Sequence, residues 1–265
     1  MLDFHTHSTN SHDGRDSLLN IATHAVRVGV KHLAFTEHFD IDCNIHNVWH
    51  AKNLDIPDYL RDFTAVKKEL SGKINLYFGI ECGYDALANE QYKTELAKYD
   101  FDVILNSVHL VNGDDAYNPG CFEGIPTPVA YNLYLNSVLQ SLDVPYPYDI
   151  IGHIGYAGRY IPDGGPLLTP DTKDLIDAIL KGIIARGKSM EANTSVRTLP
   201  YIAIPEPAIF KRYKELGGEN ISYGSDTHDT VRLCERYKET AELLKSLGFK
   251  YFTGYKERKP FHYAL

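Results

Sequence analysis

Nine side chains of the kinds that bind divalent metal ions follow hydrophobic, β-rich segments of this sequence. The first segment ends in His5-Thr6-His7, and the side chains of a strand alternate between its two faces, so both imidazoles are expected to point the same way. Two imidazoles on one face supply half of a tetrahedral metal site. The chemistry that these residue types predict is therefore metal binding.

Metal-binding residue types recur after five further strand-like segments. They are His38, Glu81, His109, His153 and the pair Asp226 and His228, with His12 shortly after the first pair. A lone histidine beside a strand is more often a hydrogen-bonded structural residue. Repetition at six strand ends is not expected from packing, because charged side chains are rarely buried without partners. Seven of the twelve histidines thus belong to a predicted multinuclear metal site.

Strand-like and helix-like segments alternate along the chain. Strands are predicted near residues 1–5, 31–36, 74–80, 102–108, 148–152, 188–192 and 221–225. Helices are predicted near residues 17–26, 57–71, 127–142, 170–186, 205–216 and 229–247. This spacing is typical of βα units in an α/β protein with a parallel sheet.

The distribution of the candidate ligands favours a closed sheet. In an open doubly wound sheet, only the strands at the switch point contribute to a site. In a barrel, the carboxyl ends of all strands meet at one mouth, where barrel enzymes place their chemistry. The sequence therefore predicts a TIM-like barrel, with residues 250–255 as an extra strand packed at its edge. Because no segment resembles a linker, residues 1–265 are expected to form a single domain.

Composition and charge narrow the range of partners. A net charge of −8 disfavours binding of nucleic acid through its phosphates. The sequence has no apolar run long enough to cross a membrane and no leader-like segment, so a cytoplasmic protein without membrane association is expected. The widely spaced Cys43, Cys82, Cys121 and Cys234 are interpreted as ordinary thiols. The sequence does not decide between a monomer and a homo-oligomer.

Six motifs give the chain a resemblance to a known family. They are His5-Thr6-His7 with His12, Phe35-Thr36-Glu37-His38, Gly79-Ile80-Glu81, Ser107-Val108-His109, Gly152-His153 and Gly224-Ser225-Asp226-Thr227-His228. Across nearly its full length, the chain resembles the polymerase and histidinol phosphatase (PHP) superfamily of metal-dependent phosphoesterases, and within it the histidinol-phosphate phosphatases. The resemblance implies a distorted (β/α)7 barrel that holds three divalent ions of zinc, manganese or iron.

The resemblance also implies how the ligands divide among the three ions. One ion would be held by His5, His7, Glu81 and Asp226, a second by Glu81, His109 and His153, and a third by His12, His38 and His228. Glu81 has two carboxylate oxygens and can bridge two ions, which an imidazole cannot do. Mixed nitrogen and oxygen ligation suits zinc, manganese or iron better than magnesium or calcium.

Clustered cations suit the hydrolysis of a phosphate monoester, because they neutralise the charge of the ester and acidify a bound water to hydroxide near neutral pH. The resemblance implies that the reaction is hydrolysis of L-histidinol phosphate, a small-molecule phosphate ester, to L-histidinol and phosphate. Water is the expected nucleophile, since the chain has neither a GxSxG motif nor a CxxxxxR motif near a glycine-rich turn.

Three residues are candidates for binding the phosphate group. Arg159 and Arg197 follow ligand motifs, and a guanidinium offers paired donors that match phosphate oxygens. Ser195 is expected to add a hydroxyl donor. The acidic loops over residues 40–50 and 114–117 are candidates for contact with the amine of the substrate.

Proton transfer is assigned to residues of the last ligand motif. Asp226 is expected to accept the proton of the nucleophile or to fix its position, and a water or His228 is expected to protonate the leaving group. Glu191 is expected to orient a ligand imidazole rather than to bind metal.

Three alternatives remain open from the sequence. The same site could act on a nucleotide, a 3′-phosphate or a nucleic-acid end. The chain could instead be a non-catalytic metal-binding or regulatory domain, although none of the nine expected ligands is missing. An amidohydrolase-like reaction at a C–N bond would share the HxH strand and the terminal aspartate, but it typically requires a carbamylated lysine or a different histidine spacing.

Overall fold

A seven-stranded parallel sheet forms the centre of the molecule. The computed structural model describes residues 1–41, 54–118, 120–161 and 164–265. Its strands are β1 Leu2–Asp3, β2 His32–Phe39, β3 Asn75–Gly83, β4 Val103–Ser107, β5 Leu110–Val111, β6 Asp114–Asp115, β7 Ile150–Ile151, β8 Ser189–Asn193, β9 Ile221–Gly224, β10 Tyr251–Lys256 and β11 Lys259–Ala264. The parallel sheet has the order β1-β2-β3-β4-β7-β8-β9.

Backbone hydrogen bonds join the first and last strands of this sheet. The N–H of Phe4 donates to the carbonyl of Tyr223 at 2.9 Å, and the N–H of Asp226 donates to the carbonyl of His5 at 2.8 Å. The sheet is therefore nearly closed into a barrel, which confirms the predicted TIM-like fold class.

Seven α-helices among the described residues surround the sheet. They are α1 Leu18–Val28, α2 Ile56–Glu69, α3 Asn89–Leu96, α4 Thr127–Ser141, α5 Lys173–Ala185, α6 Pro207–Glu215 and α7 Tyr237–Ser246. In α1, Ser17 Oγ accepts the N–H of Asn20 at 3.2 Å, and Gly29 ends the helix with a φ of 84°. Within the described part of the chain, no helix is both long and apolar enough to cross a membrane.

Two helices differ from the predictions. Helix α3 was not predicted, because it is short and polar and buries only Tyr92 and Leu96. The helix predicted over residues 229–247 begins only at Tyr237. Before it, Asp229 Oδ1 accepts a backbone N–H at 2.9 Å, and Cys234 has a φ of 54°, which is incompatible with a continuous helix.

The C-terminal strand was predicted correctly as a strand, but its partner strand was not predicted. β10 does not join the barrel sheet; it pairs antiparallel with β11 in a separate hairpin. The turn of this hairpin bonds to residues that precede barrel strands: the N–H of Glu257 donates to Asp102 Oδ1 at 2.9 Å, and Arg258 Nε donates to Asp149 Oδ2. The hairpin therefore packs against the amino ends of the strands, opposite the end where the predicted ligands lie.

Candidate metal centre

His5 and His7 follow β1 with their imidazoles directed at the same carboxylate. His5 Nε2 lies 3.2 Å from Glu81 Oε1, and His7 Nε2 lies 3.6 Å from Glu81 Oε2. Asp226 Oδ1 lies 3.9 Å from His5 Nε2 and 3.6 Å from His7 Nε2. These four residues direct donor atoms into one space, as the alternation of the HxH segment predicts.

Glu81 lies at the centre of the cluster and has no exposed surface. On β3 it is the register partner of His38 on β2, and its Oε2 lies 2.9 Å from His38 Nδ1. Its Oε1 lies 2.9 Å from His153 Nε2 and 3.6 Å from His109 Nε2, and these two ring nitrogens are 3.3 Å apart. The two oxygens therefore face different histidines, which is the arrangement a bridging carboxylate requires.

His12, His38 and His228 form the outer part of the cluster. His38 Nε2 and His228 Nε2 are 3.3 Å apart, and the ring centroids of His12 and His38 are 5.4 Å apart. Rings that share a zinc ion through bonds of about 2.0–2.1 Å have centroids roughly 5 Å apart. Asp13, which was not among the predicted ligands, places Oδ2 3.0 Å from His228 Nε2 and Oδ1 3.7 Å from His38 Nε2.

The cluster contains three overlapping groups of three residues, and within each group the donor atoms lie within 4.8 Å of one another. They are His7, His38 and His228; His5, His7 and Glu81; and His38, Glu81 and His109. Because the groups share members, the cluster is one continuous set of donors rather than several separate sites.

Several buried donor atoms of this cluster have no hydrogen-bond partner within the described ranges. They are His5 Nε2, His7 Nε2, and the pair His38 Nδ1 and Glu81 Oε2, which are 2.9 Å apart but lack the angles of a hydrogen bond. Leaving a buried polar atom unpaired costs about 1–3 kcal/mol. Facing imidazole nitrogens 3.3 Å apart also match two ligands of a tetrahedral zinc ion, which are separated by roughly 3.3 Å. The residues present thus fit a group of divalent metal ions.

The charges in the cluster shift the pKa values of its members. Burial alone would raise the pKa of Glu81, but His5 and His38 hold it well below its ordinary value. Burial and the neighbouring imidazoles lower the pKa of His7. An ionised carboxylate and a neutral imidazole are the forms that bind a metal ion.

Two carboxylates contact the ring nitrogens that point away from the centre. Glu191 Oε1 lies 2.7 Å from His5 Nδ1, in agreement with the orienting role predicted for it. Asp40 Oδ1 lies 3.0 Å from His109 Nδ1. Asp40 was predicted only as part of the acidic loop over residues 40–50, a candidate for contact with the substrate amine, and its contact with His109 was not predicted.

A cavity of about 430 Å³ adjoins the cluster and is lined by both predicted phosphate-binding arginines. The Arg159 side chain is only 2% exposed, and its Nη2 donates to Asn193 Oδ1 at 3.1 Å and to Asp226 Oδ2 at 3.4 Å. Its buried Nε has no hydrogen-bond partner among the described residues. Burial would raise the pKa of Asp226, but His5 and Arg159 lower it. Arg159 therefore brings a buried positive charge to the cavity.

Arg197 and Ser195 are placed differently, although they are close in sequence. Arg197 is exposed, lines the cavity and has a φ of 57°. Ser195 is buried, and its N–H donates to Asn193 Oδ1 at 2.9 Å. Ser195 is absent from the described residues that line the cavity, so the structure does not bring its hydroxyl to the other candidates.

Two acidic loops were predicted to lie at the same mouth. Asp115 and Tyr117 line the cavity, and Tyr156 Oη donates to Asp115 Oδ1 at 3.4 Å. Asp40 also lines it. Residues 42–50 of the first loop lie outside the described residues, as do His46, His50 and Cys43 within it.

The histidines that were not predicted as ligands have other partners where the structure describes them. His24 Nδ1 lies 2.7 Å from Arg27 Nη2, His32 Nδ1 lies 2.7 Å from Tyr77 Oη, and the His262 ring stacks on Tyr251 at 3.7 Å. Cys82, Cys121 and Cys234 are free thiols.

The fold and the cluster together define a class: a nearly closed parallel barrel with a cluster of candidate metal ligands at the carboxyl ends of its strands. Comparison with known proteins gives the family. The PHP domain model matches residues 3–195, and the chain therefore belongs to the PHP domain family.

Similar proteins extend over nearly the whole chain. A "probable histidinol-phosphatase" of Clostridium acetobutylicum is 30% identical over 94% of this chain and 95% of its own length. A histidinol-phosphatase of Lactococcus lactis is 26% identical over 94% of this chain and 91% of its own length. A crystal structure of histidinol phosphate phosphatase from Lactococcus lactis, in complex with zinc, L-histidinol and phosphate, superposes with a TM-score of 0.88, covering 98% of each chain at 24% identity.

Proposed function

We propose that this protein is a metal-dependent phosphomonoesterase that hydrolyses L-histidinol phosphate to L-histidinol and phosphate. One observation carries the proposal: the carboxylate of Glu81 lies among histidines from several strand ends, beside a cavity that also contains the buried guanidinium of Arg159. The named activity of the similar proteins supports the substrate. We further propose that residues 1–265 act as one domain, because nearly all buried apolar residues in the described part of the chain form one cluster.

The residues that would hold metal ions divide into three sets in this proposal. His5, His7, Glu81 and Asp226 form the first; Glu81, His109 and His153 form the second; His12, His38 and His228 form the third, with the Asp13 carboxylate beside it. When bound, zinc, manganese or iron ions would neutralise the charge of the ester and acidify water. The zinc in the similar Lactococcus lactis structure supports this choice of metals.

Arg159 and Arg197 are proposed to bind the oxygens of the phosphate group. Both line the cavity, and the buried Nε of Arg159 has no hydrogen-bond partner among the described residues. A guanidinium in a desolvated setting forms strong charge-assisted hydrogen bonds with phosphate. Ser195 remains a weaker candidate, because only a change in the loop would bring its hydroxyl to the cavity.

Asp226 is proposed to accept the proton of the attacking water. Its carboxylate lines the cavity, and its Oδ1 lies beside His5 and His7 of the first proposed metal set. His228 is better suited to bind metal than to donate a proton. Its Nδ1 lies 3.2 Å from the carbonyl oxygen of Asp226, which can only accept, so Nδ1 carries a hydrogen and Nε2 is the nitrogen that would bind a metal ion. A solvent water is then the proton donor to the leaving alkoxide.

A substrate panel tests this function directly. The protein is purified without chelators, its bound metals are quantified, and phosphate release is measured from L-histidinol phosphate, AMP, a 3′-phosphonucleotide and p-nitrophenyl phosphate. We expect the highest kcat/KM for L-histidinol phosphate. A higher kcat/KM for another ester would change the substrate, and bound metal without any hydrolysis would favour a regulatory domain.

A further inference from the structure

Glu37 is a fully buried carboxylate that the proposed reaction does not use. It lies on β2 directly before His38 and accepts hydrogen bonds from two serines of the loop after β1. The hydroxyl of Ser8 donates to Oε1 at 2.5 Å, and the hydroxyl of Ser11 donates to Oε2 at 2.5 Å. The backbone N–H groups of both serines also donate to this carboxylate, at 3.0–3.1 Å. A buried charge requires such partners.

Ser11 connects this carboxylate to a candidate metal ligand. Its Oγ lies 3.3 Å from His7 Nδ1 and 3.0 Å from the backbone nitrogen of His38. A serine hydroxyl has one hydrogen and two lone pairs. That hydrogen is donated to Glu37, and the backbone N–H of His38 can only donate. Ser11 Oγ must therefore also accept from His7, so the hydrogen of the neutral His7 ring is on Nδ1.

This hydrogen position determines which nitrogen of His7 can bind metal. With Nδ1 protonated, the lone pair is on Nε2, the atom that lies 3.6 Å from both Glu81 Oε2 and Asp226 Oδ1. His5 is held in the same way but directly, because its Nδ1 lies 2.7 Å from Glu191 Oε1. The Nδ1 side of each histidine in the HxH segment is thus linked to a carboxylate. Glu191 contacts His5 directly, whereas Glu37 is linked to His7 through the hydroxyl of Ser11.

We propose that Glu37 and Ser11 are positioning residues that fix the tautomer of His7 and thereby strengthen metal binding at its Nε2. The inference rests on the proposed function only in taking His7 as a metal ligand. Glu37 does not touch the cavity in the described structure; it acts through Ser11.

The chain contains a matched control for this relay. Ser8 and Ser11 each donate a hydroxyl to one oxygen of Glu37 at the same distance, and each adds a backbone N–H. Only Ser11 contacts a candidate ligand ring. If Glu37 merely holds the loop in place, loss of either hydroxyl should have the same effect.

The test compares Ser8→Ala, Ser11→Ala, Ser11→Thr and Glu37→Met with the wild-type protein. Zinc affinity is measured by competition with a chromophoric chelator, and the tautomer of His7 is read from its ring ¹⁵N chemical shifts in the metal-free protein. We expect Ser11→Ala to weaken zinc binding by about 10- to 100-fold and to add the Nε2–H form of His7. Ser8→Ala should keep both wild-type values, and Ser11→Thr should restore them.

Glu37→Met tests the origin of the relay. The thioether is only a weak acceptor, which frees the hydrogen of Ser11 for His7 Nδ1, so the Nε2–H form should also appear in this variant. Equal zinc affinities for Ser8→Ala and Ser11→Ala, or an unchanged His7 tautomer in Ser11→Ala, would overturn the inference. If the wild-type protein binds no zinc, the proposed function fails by itself, and the ¹⁵N shifts of the metal-free protein still decide the relay.

Discussion

Glu81 and His38 are register partners on adjacent parallel strands, and Glu81 Oε2 lies 2.9 Å from His38 Nδ1 while Oε1 lies 2.9 Å from His153 Nε2. One carboxylate therefore connects the outer and inner parts of the histidine cluster. The pairing of β2 with β3 determines this contact, because the side chains of paired residues on neighbouring strands lie side by side. The contact therefore does not depend on the conformation of a loop.

Glu81→Gln should damage metal binding and turnover together. The substitution keeps the size of the side chain but removes the charge that two ions would share. We expect a loss of several kcal/mol of charge stabilisation, equivalent to about 10³-fold in kcat, and a lower metal content by elemental analysis. A variant with full metal content and wild-type kcat would exclude the bridging role.

Arg159→Ala should weaken the use of every phosphate ester. Charge-assisted hydrogen bonds contribute about 1.5–3 kcal/mol, so kcat/KM should fall roughly 10- to 100-fold, with partial recovery in Arg159→Lys. Arg232→Ala is the control, because Arg232 also lines the cavity but its Nε pairs with Glu235 at 2.7 Å. Equal kcat/KM values for the two alanine variants would show that Arg159 does not bind the phosphate group.

His12→Ala should release the outermost ion selectively. His12 is exposed, whereas the donors of the other two proposed sets are buried, so its loss should lower the bound metal toward two ions per chain without unfolding the protein. Asp13→Asn, which changes the neighbouring carboxylate, should have a smaller effect. Elemental analysis after dialysis measures both. Three tightly bound ions in His12→Ala would assign the third set to Asp13 instead.

Arg258→Ala should lower stability but not catalysis. Arg258 Nε donates to the buried carboxylate of Asp149 at the amino end of the barrel, at the opposite end of the strands from the ligand motifs. Breaking a buried ion pair costs about 3–5 kcal/mol, and because Arg258 is one-quarter exposed we expect about 1–3 kcal/mol in urea unfolding. Lys259→Ala, at the exposed neighbouring position, is the control. If fully folded Arg258→Ala had a different kcat from the wild-type protein, the hairpin would influence the candidate metal centre.

The sequence was most informative where residue type and strand period act together. His5, His7 and Glu81 could be placed at one centre because strand alternation and parallel packing leave few other arrangements. Strand β11 was not predicted, because a strand pattern does not specify its partner strand. The contacts of Asp13 and Asp40 with the histidines were not predicted either, because an acid in a loop is usually solvated, and only the folded chain brings these carboxylates to the histidines.

The most direct test of the account is metal reconstitution of the chelator-treated protein with L-histidinol phosphate as substrate. Zinc, manganese or ferrous ions are added stepwise, and phosphate release is measured against the number of ions bound. We predict no turnover in the metal-free protein and activity that saturates at three ions per chain. Turnover that survives complete removal of metal, or that saturates at a single ion, would contradict the proposed trinuclear centre.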